Sequence, residues 1–186
     1  MDRVMGALKV RVGGALAERF VLSAFFLLGT VLGAYVEIPL PFTPVPVTLQ
    51  TLFVLCGAAW LGRSWSLGVQ GIYLGAGALG MSAFAGAAAG AVYLAGPTGG
   101  YLWAFLPASL LVAGLWPRVA SKSLWARVAL MSAASLLILT LGAAWLSVLL
   151  HLSLAQALLM GVLPFLPGEA LKVACAATLA PKVRRA

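Results

Sequence analysis

Six near-continuously apolar runs, joined by short connections, leave this chain one medium in which to fold. They are Phe20–Glu37, Val47–Leu61, Trp65–Met81, Gly99–Trp116, Leu124–Leu150 and Ala155–Ala180. A helix needs about 20 apolar residues to cross the hydrocarbon core, within a range of roughly 17 to 25. The second run is short, and the 27-residue fifth is long enough to tilt or to project from the bilayer. The sequence is 63% hydrophobic and 9% charged, against roughly 45–50% and 25% in soluble domains. A polar surface cannot be assembled from so few polar residues, so the excess must face lipid. The expectation is an all-α integral membrane protein: one membrane domain over residues 1–186, with a six-transmembrane-helix bundle at 20–180. A basic segment, 1–19, precedes the bundle and a basic tail, 181–186, follows it. The first run follows basic residues but leads into Pro39-Leu40-Pro41 without a small-residue cleavage pattern, so it reads as a retained helix. Because the runs are apolar all round, periodicity does not separate lipid-facing from buried faces.

The charges orient the bundle. With six spans, one side carries Arg3, Lys9, Arg11, Arg19, Arg63, Arg118, Lys122, Arg127, Lys182, Arg184 and Arg185, eleven of the twelve basic residues. The three connections on the other side carry none. The positive-inside rule then puts both termini in the cytoplasm. The net charge of +8 sits in clusters between apolar runs, which fits an anionic lipid leaflet and not a nucleic acid. Cys56 and Cys175 lie inside apolar segments, where thiols behave as small hydrophobes.

Two outer connections are unusual. Ile38 to Pro46 holds four prolines that fix φ and force extended backbone. Ser82 to Thr98 is rich in Gly and Ala and ends in Gly96-Pro97-Thr98-Gly99-Gly100. Such stretches either fold back as a binding cap or serve as tight connections; irregular backbone at membrane depth needs protein or a cavity around it.

The twelfth basic residue, Lys172, falls near the middle of the sixth run, three residues after Glu169. A central Lys or Asp costs about 2.5–3.5 kcal/mol on insertion scales, so such residues usually have a reason. The i,i+3 spacing puts both on one helical face. Their pairing alone can hold helix register. Pro164 and Pro167, however, break the run just before Gly168-Glu169, and discontinuous helices with polar ends are where transporters hold substrates. A ligand carboxylate suits Lys172 and ligand N–H groups suit Glu169. Thr48, Gln50 and Thr51 open the second run, Thr98 precedes the fourth and Tyr101 lies in its first turn. Each joins the candidate site or acts as a helix cap or interface tyrosine.

The chain contains no phosphate loop and no G-x-S-x-G. Its only histidine, His151, has no acidic or cysteine neighbour in sequence. The residues therefore point away from an enzyme, a metal site and a resident cofactor.

The run Ile38-Pro39-Leu40-Pro41-Phe42-Thr43-Pro44-Val45-Pro46-Val47-Thr48-Leu49-Gln50-Thr51-Leu52 resembles the signature of the BioY family. These are the biotin-binding S components of energy-coupling factor (ECF) vitamin transporters. Gly96 to Tyr101 and Pro167 to Lys172 are similar to two further motifs of that family, in the same order. The resemblance covers about Phe20 to Ala180. It implies the S-component fold, capture of biotin on the outer side, and membrane partners: a T component and two ATPase subunits. It assigns Lys172 to the ligand carboxylate or another acceptor, and Glu169 to a ureido N–H. The family commonly has Asp where Glu169 stands here. S components also tend to carry a small-x-x-x-small pair on the first helix for T-component docking. Gly29 with Gly33, or Thr30 with Ala34, fits that role or ordinary helix packing. An S component for thiamine or riboflavin and a structural subunit without ligand stay open, as do work alone and a homo-oligomer.

Overall fold

The computed structural model describes the backbone of residues 2–182 and the side chains of residues 16–182. The basic side chains Arg3, Lys9, Arg11, Arg184 and Arg185 lie outside the described residues. Among the described residues there are eight α-helices: α1 (Asp2–Tyr35), α2 (Gln50–Leu61), α3 (Arg63–Ala78), α4 (Ala91–Ala95), α5 (Gly99–Val119), α6 (Leu124–Leu149), α7 (Leu154–Gly161) and α8 (Leu166–Leu179). Single 3-10 turns lie at Ala85–Ala87 and Leu163–Phe165, and strands β1 (Glu37–Ile38) and β2 (Val47–Thr48) pair antiparallel.

Four segments are helical or nearly so over a length and hydropathy sufficient to cross a membrane: Leu16–Tyr35, Gly99–Val119, Leu124–Leu149 and Leu154–Leu179. Of the six expected spans, the short second is α2, with 12 residues, and the third is α3, with 16. At 1.5 Å per residue these helices fall short of a core about 30 Å thick. They are divided by Gly62 alone, whose φ of +76° ends one helix and starts the next. Arg63 accordingly sits in the first turn of α3, not in a connection. The expected sixth span is two helices, α7 and α8, separated by the turn that holds Pro164. Pro167 does not break α8: it occupies the first turn, where its missing N–H costs nothing.

Large apolar side chains cover the outside of the bundle, among them Phe25, Leu28 and Leu32 on α1, Val148 on α6 and Leu171 on α8. Exposed apolar surface of this extent needs lipid around it. Inside, small residues let the helices approach. Ala104 and Ala108 on α5 and Ala134 and Ala143 on α6 are all buried, as small-residue packing in membranes predicts.

Gly29 and Gly33 belong to this packing. A Cβ at Gly29 would lie 2.3 Å from the Phe53 ring of α2, and one at Gly33 would lie 3.0 Å from the backbone nitrogen of Gln50. Thr30 and Ala34 are likewise buried. These small residues thus seat α2 on α1 within the chain. The Gly33 and Val36 carbonyls accept from the Leu49 backbone N–H at 3.0 and 3.1 Å, which pins the start of α2 beside the end of α1. Register in the small hairpin, Glu37 opposite Thr48, completes the anchor.

Candidate binding site

The hairpin, α2, α5, α6 and α8 surround a cavity of about 520 Å³, its open mouth included. Thr48, Gln50, Thr98, Tyr101, Glu169 and Lys172, drawn from three separate stretches of sequence, all line it. Apolar walls come from Val45, Leu102, Phe105, Ile138, Leu139 and Phe165.

The polar end is built on the first turn and a half of α8. Glu169 and Lys172 form an ion pair through Oε1, and both are largely buried. Neither charge is left to this pairing alone. The Thr51 hydroxyl donates to Glu169 Oε1 at 2.9 Å and the Ser135 hydroxyl of α6 to Oε2 at 2.6 Å. The Lys172 ammonium donates to the Thr48 carbonyl at 2.8 Å. Pairing plus additional hydrogen bonds is what makes a buried ion pair tolerable. An ammonium has three donors; two are used, and the third remains for an acceptor in the cavity. On the carboxylate, Oε2 has one protein donor and keeps acceptor capacity.

Gln50 contributes a fixed amide. Its Oε1 accepts from the Thr48 hydroxyl at 3.0 Å, and its Nε2 donates to the Tyr73 hydroxyl. One Nε2–H is left over. Thr98 stands at the N-cap of α5, yet its side chain makes no capping bond, and its buried hydroxyl finds no partner among the described residues. Thr98 lines the cavity, so its hydroxyl is an unspent donor and acceptor beside it.

Tyr101 lines the cavity, and its hydroxyl donates to the Gly161 carbonyl at 2.8 Å, joining α5 to α7. Gly142 of α6 permits this, since a Cβ there would lie 2.2 Å from the ring. Sequence reasoning missed Ser135, one of three serines in the long apolar run of α6, which nothing in the sequence marks as inward-facing. It also missed Tyr93 and Ala85, which bring the stretch between α3 and α5 to the cavity wall. That stretch, read either as cap or as tight connection, holds α4 and a 3-10 turn and closes one side of the site.

An apolar helical bundle whose outer surface needs lipid, enclosing a cavity with one ammonium and one carboxylate, defines a multi-pass membrane protein built to hold a small molecule. The family model for the BioY family matches residues 5–186, and the chain belongs to that family. It is 31% identical to the biotin transporter BioY of Thermotoga maritima over 169 residues, which cover 90% of this chain and 96% of the relative. It is 34% identical to the probable biotin transporter BioY of Pyrococcus horikoshii over 168 residues, covering 90% and 97%. In three dimensions it matches the crystal structure, at 2.1 Å, of the S-component for biotin from an ECF-type ABC transporter. The TM-score is 0.84 over 90% of each chain. At 23% identity that likeness establishes the fold.

Proposed function

We propose that this chain is the S component of an ECF transporter, which captures biotin from outside the cell and passes it inward. In this reading it spans the cytoplasmic membrane six times, with both termini in the cytoplasm, and serves as a binding subunit without catalytic activity of its own. A T component and two ATPase subunits supply the energy, since the chain has no phosphate loop.

The observation that carries the ligand assignment is the contact between Lys172 and Glu169, the one charged pair among the residues that line the cavity. A donor touching an acceptor complements a ligand edge on which an acceptor adjoins a donor. The ureido ring of biotin has such an edge, a carbonyl beside an N–H. Its valerate carboxylate lies a whole chain length away and cannot reach the same spot at once. Lys172 thus takes the ureido carbonyl and Glu169 a ureido N–H. The thiolane ring and methylenes lie against Phe105, Ile138 and Phe165. The carboxylate is left for donors such as Thr98 nearer the mouth.

Calorimetric titration of the purified chain with biotin and with biotin methyl ester, each repeated on Lys172→Ala, tests both ligand and pose. The expectation is binding of biotin that Lys172→Ala abolishes, and a loss of the same size for the ester. Ester binding indifferent to Lys172 would move the carboxylate to that residue. No heat from folded wild-type protein would remove biotin as the ligand.

A further inference from the structure

Tyr73 lies outside the cavity lining and is completely buried, yet its hydroxyl joins two parts of the site. It accepts from Gln50 Nε2 on α2 and donates to the Ala83 carbonyl at 3.2 Å. Ala83 opens the segment after α3 that supplies Ala85 and, through α4, Tyr93 to the cavity wall. The next residue, Phe84, is also fully buried. It meets the Tyr73 ring edge-on at 5.6 Å and stacks on Tyr93 at 5.2 Å. It occupies the space above Gly77, where a Cβ would lie 2.1 Å from its ring tip. The segment is closed on itself by Phe84 N–H to the Ala88 carbonyl at 3.0 Å and fastened to α3 by Gly90 N–H to the Gly77 carbonyl at 2.7 Å.

We propose that Tyr73 is a positioning residue that couples the Gln50 amide to closure of the 81–90 segment, and so sets how long ligand stays bound. A phenol oxygen that accepts from Gln50 has its own proton free to hold Ala83, which fixes both partners at once. The Thr48 hydroxyl donates to the amide oxygen at 3.0 Å, and Gln50 lines the cavity with one Nε2–H that neither hydroxyl takes. A ligand that takes that N–H braces Gln50, hence Tyr73, hence the wall segment. The ligand part of this inference rests on the biotin reading; the coupling within the protein does not.

The test uses the full chain in detergent and three proteins: wild type, Tyr73→Phe and Gln50→Leu. Tyr73→Phe keeps the ring contacts and removes only the two hydrogen bonds, and the loss of a buried hydrogen bond is worth about tenfold. Without ligand, backbone hydrogen exchange at Phe84, Ala88 and Gly90 should quicken by about tenfold in both variants, with α5 and α6 unchanged. Quickening in Tyr73→Phe but not in Gln50→Leu overturns the coupling, as does no change in either. With biotin, Tyr73→Phe should release ligand about tenfold faster at a similar association rate. An unchanged release rate overturns the role in retention. Should wild type bind no biotin while the ligand-free arm behaves as stated, the biotin reading and retention both fall and the coupling stands.

Discussion

Ser135 on α6 donates to Glu169 Oε2 on α8 at 2.6 Å, the one bond from α6 that holds the buried carboxylate in place. Thr51 and Lys172 both engage the other oxygen. The carboxylate is thereby oriented from three directions before any ligand arrives, and orientation paid in advance is what a site gains from rigid support.

Replacing Ser135 by Ala should weaken biotin binding by about 10- to 150-fold, since hydrogen bonds to charged groups contribute about 1.5–3 kcal/mol. Calorimetry on Ser135→Ala and Ser135→Thr checks this. The threonine variant restores the donor and should recover most of the affinity; if both lose equally, the serine acts through packing and not through its hydroxyl.

Glu169→Gln leaves the Lys172 ammonium buried without a counter-charge. Breaking a buried pair from one side costs about 3–5 kcal/mol, whereas replacing both partners by neutral groups of similar size is often close to neutral. Thermal unfolding in detergent should therefore fall sharply for Glu169→Gln and recover in Glu169→Gln/Lys172→Met. Biotin binding should be lost in both. A double variant as unstable as the single one would mean that the pair contributes more to the fold than to the ligand.

Much of this site was legible because charge is rare in the chain. Glu169 and Lys172 stand out against an apolar helix, and Pro164 with Pro167 marks the break beside them. Thr48, Gln50 and Thr98 were findable as polar residues at helix starts. What could not be read was direction. The α6 run is apolar on every face, so nothing distinguishes Ser135, which faces the site, from Thr140, whose hydroxyl is absorbed by the Leu136 and Leu137 carbonyls of its own helix. Tyr101 sat in a polar-looking turn, but only the approach of α7 decides that its hydroxyl is spent on Gly161. Arg127 was read as a cytoplasmic flank, and the fold buries it to donate to the Ala177 carbonyl of α8 at 3.1 Å.

The commitment of the Tyr101 hydroxyl gives a contrast between two substitutions. Tyr101→Phe keeps the ring at the cavity and removes the bond to α7, so it should cost about 1 kcal/mol of stability with biotin affinity within about threefold of wild type. Gly142→Ala forces a methyl group into the same ring, where overpacking costs about 1–3 kcal/mol and shifts the ring toward the ligand. It should impair binding more than the loss of the hydroxyl does. Calorimetry and thermal unfolding on the two variants check both halves; a severe binding defect in Tyr101→Phe would show that the hydroxyl turns to the ligand.

The short helices α2 and α3 raise the sharpest question about how the chain sits in the bilayer. At 12 and 16 residues they can cross only with help from the extended hairpin at one end and from Gly62 at the other. A pair of short helices can alternatively dip into the membrane and return, which is allowed where the turn is covered by protein. Phe42, Ser64 and Met81 are exposed in the chain and flank the two helices in turn. In a chain whose Cys56 and Cys175 are replaced by Ala, single cysteines at these positions can be tested with a membrane-impermeant maleimide on intact cells. The six-span reading expects modification at 42 and 81 from outside and at 64 only after the membrane is opened. The side of Arg63, which carries the only charge between Glu37 and Arg118, would then agree with the positive-inside rule. Labelling at 42 and 81 from outside, with 64 unreactive even after the membrane is opened, would make α2 and α3 a re-entrant pair whose covered turn lies within the bilayer, reduce the crossings to four, and leave both termini on the cytoplasmic side. Labelling at 64 alone from outside would invert the bundle, and with it the direction from which biotin enters.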